Sequence, residues 1–283
     1  MSPSEPHLAA RDLPSGLASL LPSMDDFLAE WMPKWGALAR DGLAGGPPAA
    51  WMKSPGQVVT EIDTRIERSV IEQIRARWPE HGIVGEESGR HAGSAQPSDL
   101  TWWIDPIDGT MNFVRGIPMF AVSIAVIAAG RPVLGHVYDP MHDEHFRARA
   151  GAGAWRNGTR LRISDASSLA AANVHMEVTR DDDFLARPSF LPTLHRACLK
   201  TRKLGVMSIE MAYVAAGRAD LLLAGKEDPL SWWDIGAGWA LVEEAGGVVR
   251  DLEGRAVTHE TRALLAGRDA LVDELSALLI AAR

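Results

Sequence analysis

Two segments in the first third of the chain carry apolar residues at helical spacing. The first is predicted to begin at Ser23, an N-cap residue followed by two acids, and its apolar positions are Phe27, Leu28, Trp31, Met32, Trp35 and Leu38. The second follows Thr60, another N-cap residue, with apolar positions at Ile66, Val70, Ile71, Ile74 and Trp78. Each segment is predicted to be a helix with one buried face. Residues 42–56 between them are rich in glycine and proline and are predicted to be a loop.

From residue 83 to residue 149 the pattern changes to short apolar runs separated by turn residues. Residues 83–84 and 102–104 are predicted strands, and residues 89–100 between them are predicted to be a polar loop. The three runs that follow, separated by turns, predict an antiparallel meander, with strands at 121–129, 132–138 and 145–149.

Two stretches near this meander superficially suggest ligand sites. Residues 139–145 combine histidines with acids, but Asp-Pro begins a hairpin turn, and a solvated tip is a simpler interpretation than a transition-metal cluster. Residues 151–155 contain two glycines without the spacing of a nucleotide-binding loop, and they are predicted to be a turn.

The second half of the chain alternates strands with helices, which predicts α/β layering. Strands are predicted at 171–177, 219–223, 247–251 and 263–266, and helices at 189–199, 208–216, from Asp234 to 246, and after Asp269. Residues 164–172 read as a joint. The predicted organisation is therefore a flexible arm at 1–22, an N-terminal half at 23–165 and a C-terminal half at 166–283.

Charge and cysteine content narrow the class of protein. The 283 residues carry 29 basic and 37 acidic side chains, a net charge of −8, which argues against nucleic acid as a partner. Cys198 is the single cysteine, so a disulfide framework is excluded. The longest apolar run, 117–130, is too short to span a membrane, and residues 1–22 lack the features of a signal peptide. We expect a cytoplasmic protein without membrane or nucleic acid partners.

The predicted strand at 102–104 ends in the most informative stretch of the chain, Asp105-Pro-Ile-Asp-Gly-Thr110. Pro106 and Gly109 force a turn in which two carboxylates project close together. Such acids repel unless a cation neutralises them or one keeps its proton, and hard oxygen ligands favour Mg²⁺, Ca²⁺ or Mn²⁺. The turn suits a metal and a phosphate together, although an ordinary Asp-Pro/Asp-Gly turn is an equally good explanation of these residues alone.

Three further acids each have two explanations. Asp63 and Asp234 lie in first turns of predicted helices, where the helix dipole alone favours an acid. Gly236 and Gly238 follow Asp234 and indicate close packing or approach to a ligand, because glycine weakens a helix. Glu86 and Glu87 follow the predicted strand at 83–84. Since adjacent strand residues face opposite ways, one of these two acids is expected to enter a site.

Four motifs together resemble the inositol monophosphatase family of Mg²⁺-dependent, lithium-sensitive phosphatases. They are Asp105 to Phe113, Gly85-Glu-Glu-Ser88, Val59 to Asp63, and Trp233 to Gly238, in the family's order and with similar spacings. The similarity runs from about Lys53 to near the C-terminus. It implies alternating α-β-α-β-α layers, with a mixed or antiparallel N-terminal sheet and a second, smaller sheet, and it suggests a homodimer.

The resemblance also implies roles for individual residues. Two or three Mg²⁺ ions would be held by Glu86, Asp105, the Ile107 carbonyl, Asp108 and Asp234. The predicted catalytic residues are Glu86, Thr110 and Asp63, with Thr110 and Glu86 orienting the attacking water. The predicted substrate-binding residues are Asp108, Gly109, Thr110, Asp234 and Glu227. Lys53 either approaches the phosphate or is a solvated surface lysine.

Departures from the family pattern leave the substrate open. Val206 and Met207 are bulkier than the small residues that line the substrate pocket of many relatives, and either Ala224 or Glu227 occupies the place of the polyol-binding acid. Inositol-1-phosphate is the first expectation, histidinol phosphate or a sugar (bis)phosphate the alternative, and a nucleotide the last. A hypothesis of another class is a non-catalytic regulator linked to RNA-related processes, although clustered acids argue against a pure scaffold.

Overall fold

The described residues of the computed structural model, 16–46, 48–54, 57–93, 100–178 and 190–281, form a layered arrangement of helices and sheets. The chain begins with helix α1 (Leu17–Leu43), a hairpin of β1 (Ala50–Ser54) and β2 (Gln57–Thr60), and helix α2 (Glu61–Arg77). Helix α2 starts where predicted, and the Thr60 and Asp63 side chains form a reciprocal capping box with its first backbone N–H groups.

Two predictions for this first segment were wrong. Helix α1 begins at Leu17, not at Ser23, whose hydroxyl instead donates to the Leu20 carbonyl inside the helix. Leu17 and Leu21 are buried, so the apolar face of the helix extends to its first turn. Residues 17–22 of the predicted flexible arm are therefore helical. Residues 1–15 lie outside the described part.

The predicted loop at 49–56 was also wrong over most of its length. Trp51 pairs with Val59 and Met52 with Val58 in an antiparallel ladder, and the β-prone residues Trp51, Val58 and Val59 favour this pairing. Residues 55–56 lie outside the described residues.

The larger sheet contains eight strands and is mostly antiparallel. The strands in chain order are β3 (Gly82–Gly85), β4 (Gly89–His91), β5 (Leu100–Asp108), β6 (Ala121–Ala128), β7 (Arg131–Asp139), β8 (Glu144–Arg149), β9 (Gly153–Arg156) and β10 (Thr159–Arg160). Their spatial order is β10-β9-β8-β7-β6-β5-β3-β4, and β3 runs parallel to β5. The predicted meander β6-β7-β8 is confirmed. Strands β4 and β9 fall where a loop and a turn were predicted, because short strands near a sheet edge carry little periodic signal. A short helix, α3 (Thr110–Val114), follows β5.

The smaller sheet has five strands in the order β12-β11-β13-β15-β14. They are β11 (Asn173–Val178), β12 (Lys200–Arg202), β13 (Leu221–Gly225), β14 (Val248–Asp251) and β15 (Ala263–Gly267). The helices of this half are α4 (Phe190–Ala197), α5 (Met207–Ala215), α6 (Trp232–Glu244) and α7 (Asp269–Ala281). All but β12 were predicted, although α6 opens at Trp232 rather than at Asp234, which lies in its first turn.

Three hydrophobic clusters define the layers. Helices α1 and α2 pack on the outer face of the larger sheet around Trp35, Trp102 and Phe120. Helices α5 and α6 lie between the sheets, and α4 and α7 cover the far face of the smaller sheet. This confirms the predicted α-β-α-β-α layering. The middle cluster joins residues from Ala121 to Ala266, so both predicted halves contribute to one core, and the boundary at residue 165 stays a prediction. No helix among the described residues is long and apolar enough to cross a membrane.

Candidate active site

Asp105 and Asp108 lie at the C-terminal end of β5, an interior strand of the larger sheet. The ladder between β5 and β6 is irregular between these two residues, which lets both acids leave the regular strand pattern. Gly109 follows in the left-handed conformation, with φ of 91°, and a Cβ there would lie 2.7 Å from Val206 Cγ2. Glycine is therefore required here both by the backbone angle and by close packing of the second half of the chain.

Asp105 is the most deeply buried acid of the group. The residue is 2% exposed, and among the described residues its Oδ1 has no hydrogen-bond partner. Burial, followed by the charges of Glu86, Asp108 and Asp234, raises its pKa well above the usual range. A side-chain interaction with Glu86 adds to this raised pKa of Asp105. Burial and the charges of Asp234 and Glu87 raise the pKa of Glu86 to about 8.

Lys53 lies at the site rather than free in solvent. Its Nζ donates to the Glu86 carbonyl at 2.7 Å and forms ion pairs with Glu87 at 3.0 Å and with Glu86 at 3.8 Å. The carboxylate closest to the Lys53 ammonium is therefore that of Glu87. Lys53 is therefore more than a solvated surface lysine, and its approach to a phosphate stays a prediction.

Glu67, on α2, was missed by the sequence argument. Its carboxylate accepts from the backbone N–H groups of Glu87 at 2.9 Å and Ser88 at 2.8 Å, and it is 2% exposed. A side chain at Gly85 would collide with it. Glu67 thus holds the turn that presents Glu86. An acid at this position of an amphipathic helix is ordinarily solvated, so no sequence signal marks it.

Asp63 lies next to Thr110, the first residue of α3, just after the end of β5. The Thr60 backbone N–H and hydroxyl both donate to Asp63, whose other oxygen lies 3.4 Å from Thr110 Oγ1. Thr110 Oγ1 also lies 3.0 Å from the Ile107 carbonyl oxygen. Burial is the largest cause that raises the pKa of Asp63 to about 6, against the lowering effect of Thr60. The structure therefore brings together Asp63, Ile107 and Thr110, as predicted.

The second half of the chain reaches the site through the segment before α5. The Ser208 backbone N–H donates to Asp108 Oδ2 at 2.6 Å, and Asn112 Nδ2 donates to the Leu204 carbonyl at 2.9 Å. Burial raises the pKa of Asp108 to about 7, although the Ser208 hydrogen bond opposes the shift.

Two acids that the sequence argument overlooked hold this segment. Glu210 accepts from the Leu204 N–H at 2.6 Å, and Glu177 accepts from the Gly205 N–H at 2.7 Å. Burial and the Glu177 charge raise the pKa of Glu210 to about 9. The two carboxyls fix the loop that packs against Gly109.

Asp234 projects from the first turn of α6 toward the same acids. Lys226 Nζ lies 3.1 Å from Asp234 Oδ2, a contact that the sequence argument did not foresee. Burial raises the pKa of Asp234, and the Lys226 charge opposes this. Glu227, the predicted substrate-binding acid, is exposed. Gly236 and Gly238 are explained by packing, because side chains there would collide with Ala125 and Met211.

The fit of this site to Mg²⁺ rests on its donor atoms. In the described part of the chain, no three His, Cys, Asp or Glu side chains are arranged to hold a metal ion as they stand. Asp108 accepts from the Ser208 N–H, and Asp234 accepts from Lys226. The unbonded, buried Asp105 oxygen and the raised pKa values nevertheless indicate acids that gain from a cation. Oxygen donors alone suit Mg²⁺. The predicted ligand set stays a prediction.

The rejected metal cluster at 139–145 is a turn, as predicted, but its first acid is buried. Asp139 accepts from the backbone N–H groups of Met141 at 2.9 Å and His142 at 3.1 Å. It thereby caps the turn between β7 and β8.

Comparison with known proteins identifies the family. Residues 37–283 match the model of the inositol monophosphatase family. The chain belongs to this family. The matched range includes every acid described above, from Asp63 to Asp234, so the resemblance inferred from the four motifs is confirmed.

Relatives within the inositol monophosphatase family have two kinds of name. The Nus factor SuhB of Pseudomonas aeruginosa is 41% identical over 219 residues, 76% of this chain and 80% of that protein. The fructose-1,6-bisphosphatase/inositol-1-monophosphatase of Thermotoga maritima is 35% identical over 220 residues, 77% of this chain and 80% of that protein. Membership supports phosphatase chemistry and, in general, Mg²⁺ dependence. Because some relatives are Nus factors, the expectation that nucleic acid is no partner stays a prediction.

Solved structures of the inositol monophosphatase family agree with the fold. The inositol monophosphatase of Thermotoga maritima superposes with a TM-score of 0.81 at 32% identity, over 91% of this chain and 96% of that one. The SuhB protein of Bartonella henselae gives a TM-score of 0.81 at 30% identity, over 91% and 98%. The same fold thus serves proteins of both names.

Proposed function

We propose that this chain is a Mg²⁺-dependent phosphatase that hydrolyses a small phosphate monoester. Inositol-1-phosphate is the first expected substrate, and histidinol phosphate or a sugar (bis)phosphate is the alternative. The observation that carries the proposal is the meeting of Glu86, Asp105 and Asp108 at the ends of the parallel strands β3 and β5, with one buried oxygen unbonded. Family membership supports the same chemistry.

In this proposal Glu86, Asp105, the Ile107 carbonyl, Asp108 and Asp234 hold two or three Mg²⁺ ions. The ions would lower the pKa of a water molecule and stabilise charge on the leaving oxygen. Their positive charge would also attract an anionic substrate to a protein of net charge −8.

The remaining roles belong to groups of the chain itself. When the Thr110 hydroxyl donates to Ile107 or Asp63, its lone pairs are left to accept from the attacking water, which Glu86 helps to orient. The left-handed Gly109 lets the N–H groups of Gly109 and Thr110 approach phosphate oxygens. Asp234 is assigned to the side of the leaving alcohol, and the exposed Glu227 remains a proposed substrate contact.

Phosphate release from four compounds, each with and without Mg²⁺, tests the proposal. The compounds are inositol-1-phosphate, histidinol phosphate, fructose-1,6-bisphosphate and adenosine 3′,5′-bisphosphate. We expect Mg²⁺-dependent release strongly biased to one of the first three. If folded protein that binds Mg²⁺ released no phosphate from any of the four compounds, the proposal would be contradicted for these substrate classes.

A pair of variants connects the activity to the site. Asp105→Asn is expected to lower kcat/KM by at least about 100-fold, since even groups that merely support metal ligands cost up to that much. Asp273→Asn, at an exposed side chain on α7, is the matched control and should retain activity. Near-normal activity of Asp105→Asn at saturating Mg²⁺ would refute the assigned role.

The names of the relatives favour a second candidate, a regulatory role as a Nus factor. In Pseudomonas aeruginosa lacking its own SuhB, rescue by both wild-type chain and Asp105→Asn would support that role, whereas rescue by the wild type alone would support phosphatase action. Lithium inhibition, a homodimer and a cytoplasmic location complete the proposal; light scattering of the purified protein measures the dimer directly.

A further inference from the structure

A lysine at the edge of the acid cluster has no counterpart in the proposed mechanism. Lys226 directly follows β13, and its backbone N–H is fixed by the Arg262 carbonyl at 3.0 Å. Its Nζ lies 3.1 Å from Asp234 Oδ2 and 3.5 Å from Ser231 Oγ. The side chain is 26% exposed, so the ammonium is both bonded to the cluster and open to solvent.

The ammonium has bonding capacity beyond these contacts. Among the described residues, Asp234 and Ser231 are its hydrogen-bond partners, whereas an ammonium has three N–H donors. Asp234 is the acid assigned to the leaving-alcohol side of the site. Lys226 therefore stands where the non-phosphate part of a substrate would lie.

A divalent cation at Asp234 would change what Lys226 faces. The carboxylate that now attracts the ammonium would be neutralised, and the cation itself would repel it. A lysine has a flexible four-carbon stem, so the ammonium can turn away while its backbone stays fixed. Water can solvate the partly exposed ammonium, but an anionic group of a ligand beside Asp234 would give it a stronger, charge-assisted partner.

We propose that Lys226 binds a second anionic group of the substrate, a phosphate or a carboxylate, beside the leaving oxygen. This inference rests on the proposed phosphatase function and specifies its substrate class. The neighbouring Glu227, which is also a proposed substrate contact, has the opposite charge, but it is exposed, whereas the Lys226 ammonium lies at Asp234 on the proposed side of the leaving alcohol. The chain therefore selects esters with an anionic second group over neutral or cationic ones.

Substrates graded by the charge of the non-phosphate part test this selection. Fructose-1,6-bisphosphate carries a second phosphate, 3-phosphoglycerate a carboxylate, inositol-1-phosphate no second charge, and histidinol phosphate an ammonium. In Lys226→Met the ratio of kcat/KM for the bisphosphate to that for inositol-1-phosphate should fall about tenfold or more, the worth of a charge-assisted hydrogen bond. In the same variant, the ratio of kcat/KM for histidinol phosphate to that for inositol-1-phosphate should rise. Comparison of the two anionic compounds separates phosphate from carboxylate recognition.

Two variants control the measurement. Lys226→Arg keeps the positive charge and should retain most of the preference for anionic substrates. If Lys226 had a structural role alone, the arginine would not restore that preference. Lys34→Met removes an exposed lysine on α1 that contacts Glu30 and the Trp31 ring, and should leave all ratios as in the wild type.

Metal binding gives a readout independent of turnover. Because the ammonium competes for Asp234, Lys226→Met without substrate should bind Mg²⁺ at least about threefold more tightly in calorimetry, a modest effect for a partly exposed ion pair. Active wild type with unchanged substrate ratios in Lys226→Met would overturn the role of Lys226 alone. Wild type inactive on every compound would overturn the phosphatase function and this inference with it.

Discussion

At the scale of single residues, the geometry of the site depends on side chains that carry no catalytic role themselves. Glu67 accepts two backbone N–H groups from the turn that follows Glu86, and Glu210 accepts one from the segment beside Gly109. A buried carboxylate that satisfies backbone donors fixes a loop more firmly than solvent would. The acids proposed to bind metal thus lie next to turns whose shape is set by other acids.

Glu67→Gln tests this positioning role. Glutamine has one acceptor oxygen where two N–H donors need partners, so one buried donor loses its bond, at a cost of about 1–3 kcal/mol. We expect that loss of unfolding free energy in urea, together with weaker Mg²⁺ binding. Glu72→Gln, an exposed glutamate on the same helix, is the control. Weaker folding without any change in Mg²⁺ affinity would show that the turn does not position Glu86.

The Thr110 hydroxyl gives a second prediction at this scale. Thr110→Ala removes the hydroxyl that contacts Ile107 and Asp63 and that is proposed to accept from the attacking water, so kcat should fall about 100-fold, within the range for proton-transfer partners, with little change in KM. Thr110→Ser keeps the hydroxyl and should retain most activity. Equal losses in the two variants would shift the role from the hydroxyl to packing.

At the scale of elements, the sequence predicted what depends on near neighbours in the chain. Helix α2, with its Thr60 cap, and the meander β6-β7-β8 were found because periodicity and turn residues are local signals. The start of α1 was misplaced, since burial of Leu17 against distant residues decides it. The β1-β2 hairpin was missed because glycine and proline, at 45–48 before it and at 55–56 between its strands, dominate the composition of this stretch.

The same division holds for the site. Asp105 and Asp108 were predicted to project together because one turn carries both. Contacts such as that of Ser208 with Asp108, and that of Lys226 with Asp234, form only when the chain is folded, so no local sequence pattern predicts them. Residues that hold the acids in place were therefore the ones overlooked.

Packing between α5 and α6 leads to a prediction for Gly238. A methyl group there would collide with the Met211 side chain, so Gly238→Ala should cost about 1–3 kcal/mol through overpacking, in spite of the better helix propensity of alanine. A fall in the unfolding temperature of about 2–4 °C per kcal/mol is expected. Gly45→Ala, with open space around the site, is the control. An unchanged melting temperature would show that α5 and α6 can move apart freely.

At the scale of the whole molecule, buried acids link stability to pH. Burial raises the pKa of Glu210 to about 9 from 4.5, so the folded protein keeps a proton that the unfolded chain releases. This contribution to stability is complete below pH 4.5 and is lost as the pH rises to about 9. Glu210→Gln stays neutral and should flatten the profile over that window, exceeding the wild type by about 1–3 kcal/mol near its upper end. Urea unfolding at several pH values measures this, with exposed Glu260→Gln as the control; parallel profiles would contradict it.

Mg²⁺ binding should reverse the effect of pH at the active site. Raised pKa values of about 8 for Glu86 and about 7 for Asp108 mean that protons occupy these acids in mildly acidic solution, and a cation has to displace them. Binding to the folded state alone raises stability by RT ln(1 + [Mg²⁺]/Kd), so a Kd that falls with rising pH gives a larger increase in unfolding temperature. We expect the Mg²⁺-induced increase to be larger near pH 9 than near pH 6, about one unit above and below these pKa values. Calorimetry should show proton release on binding near pH 7, and Asp105→Asn should abolish both effects. An increase that is the same at all pH values would mean that Mg²⁺ binds away from these carboxylates.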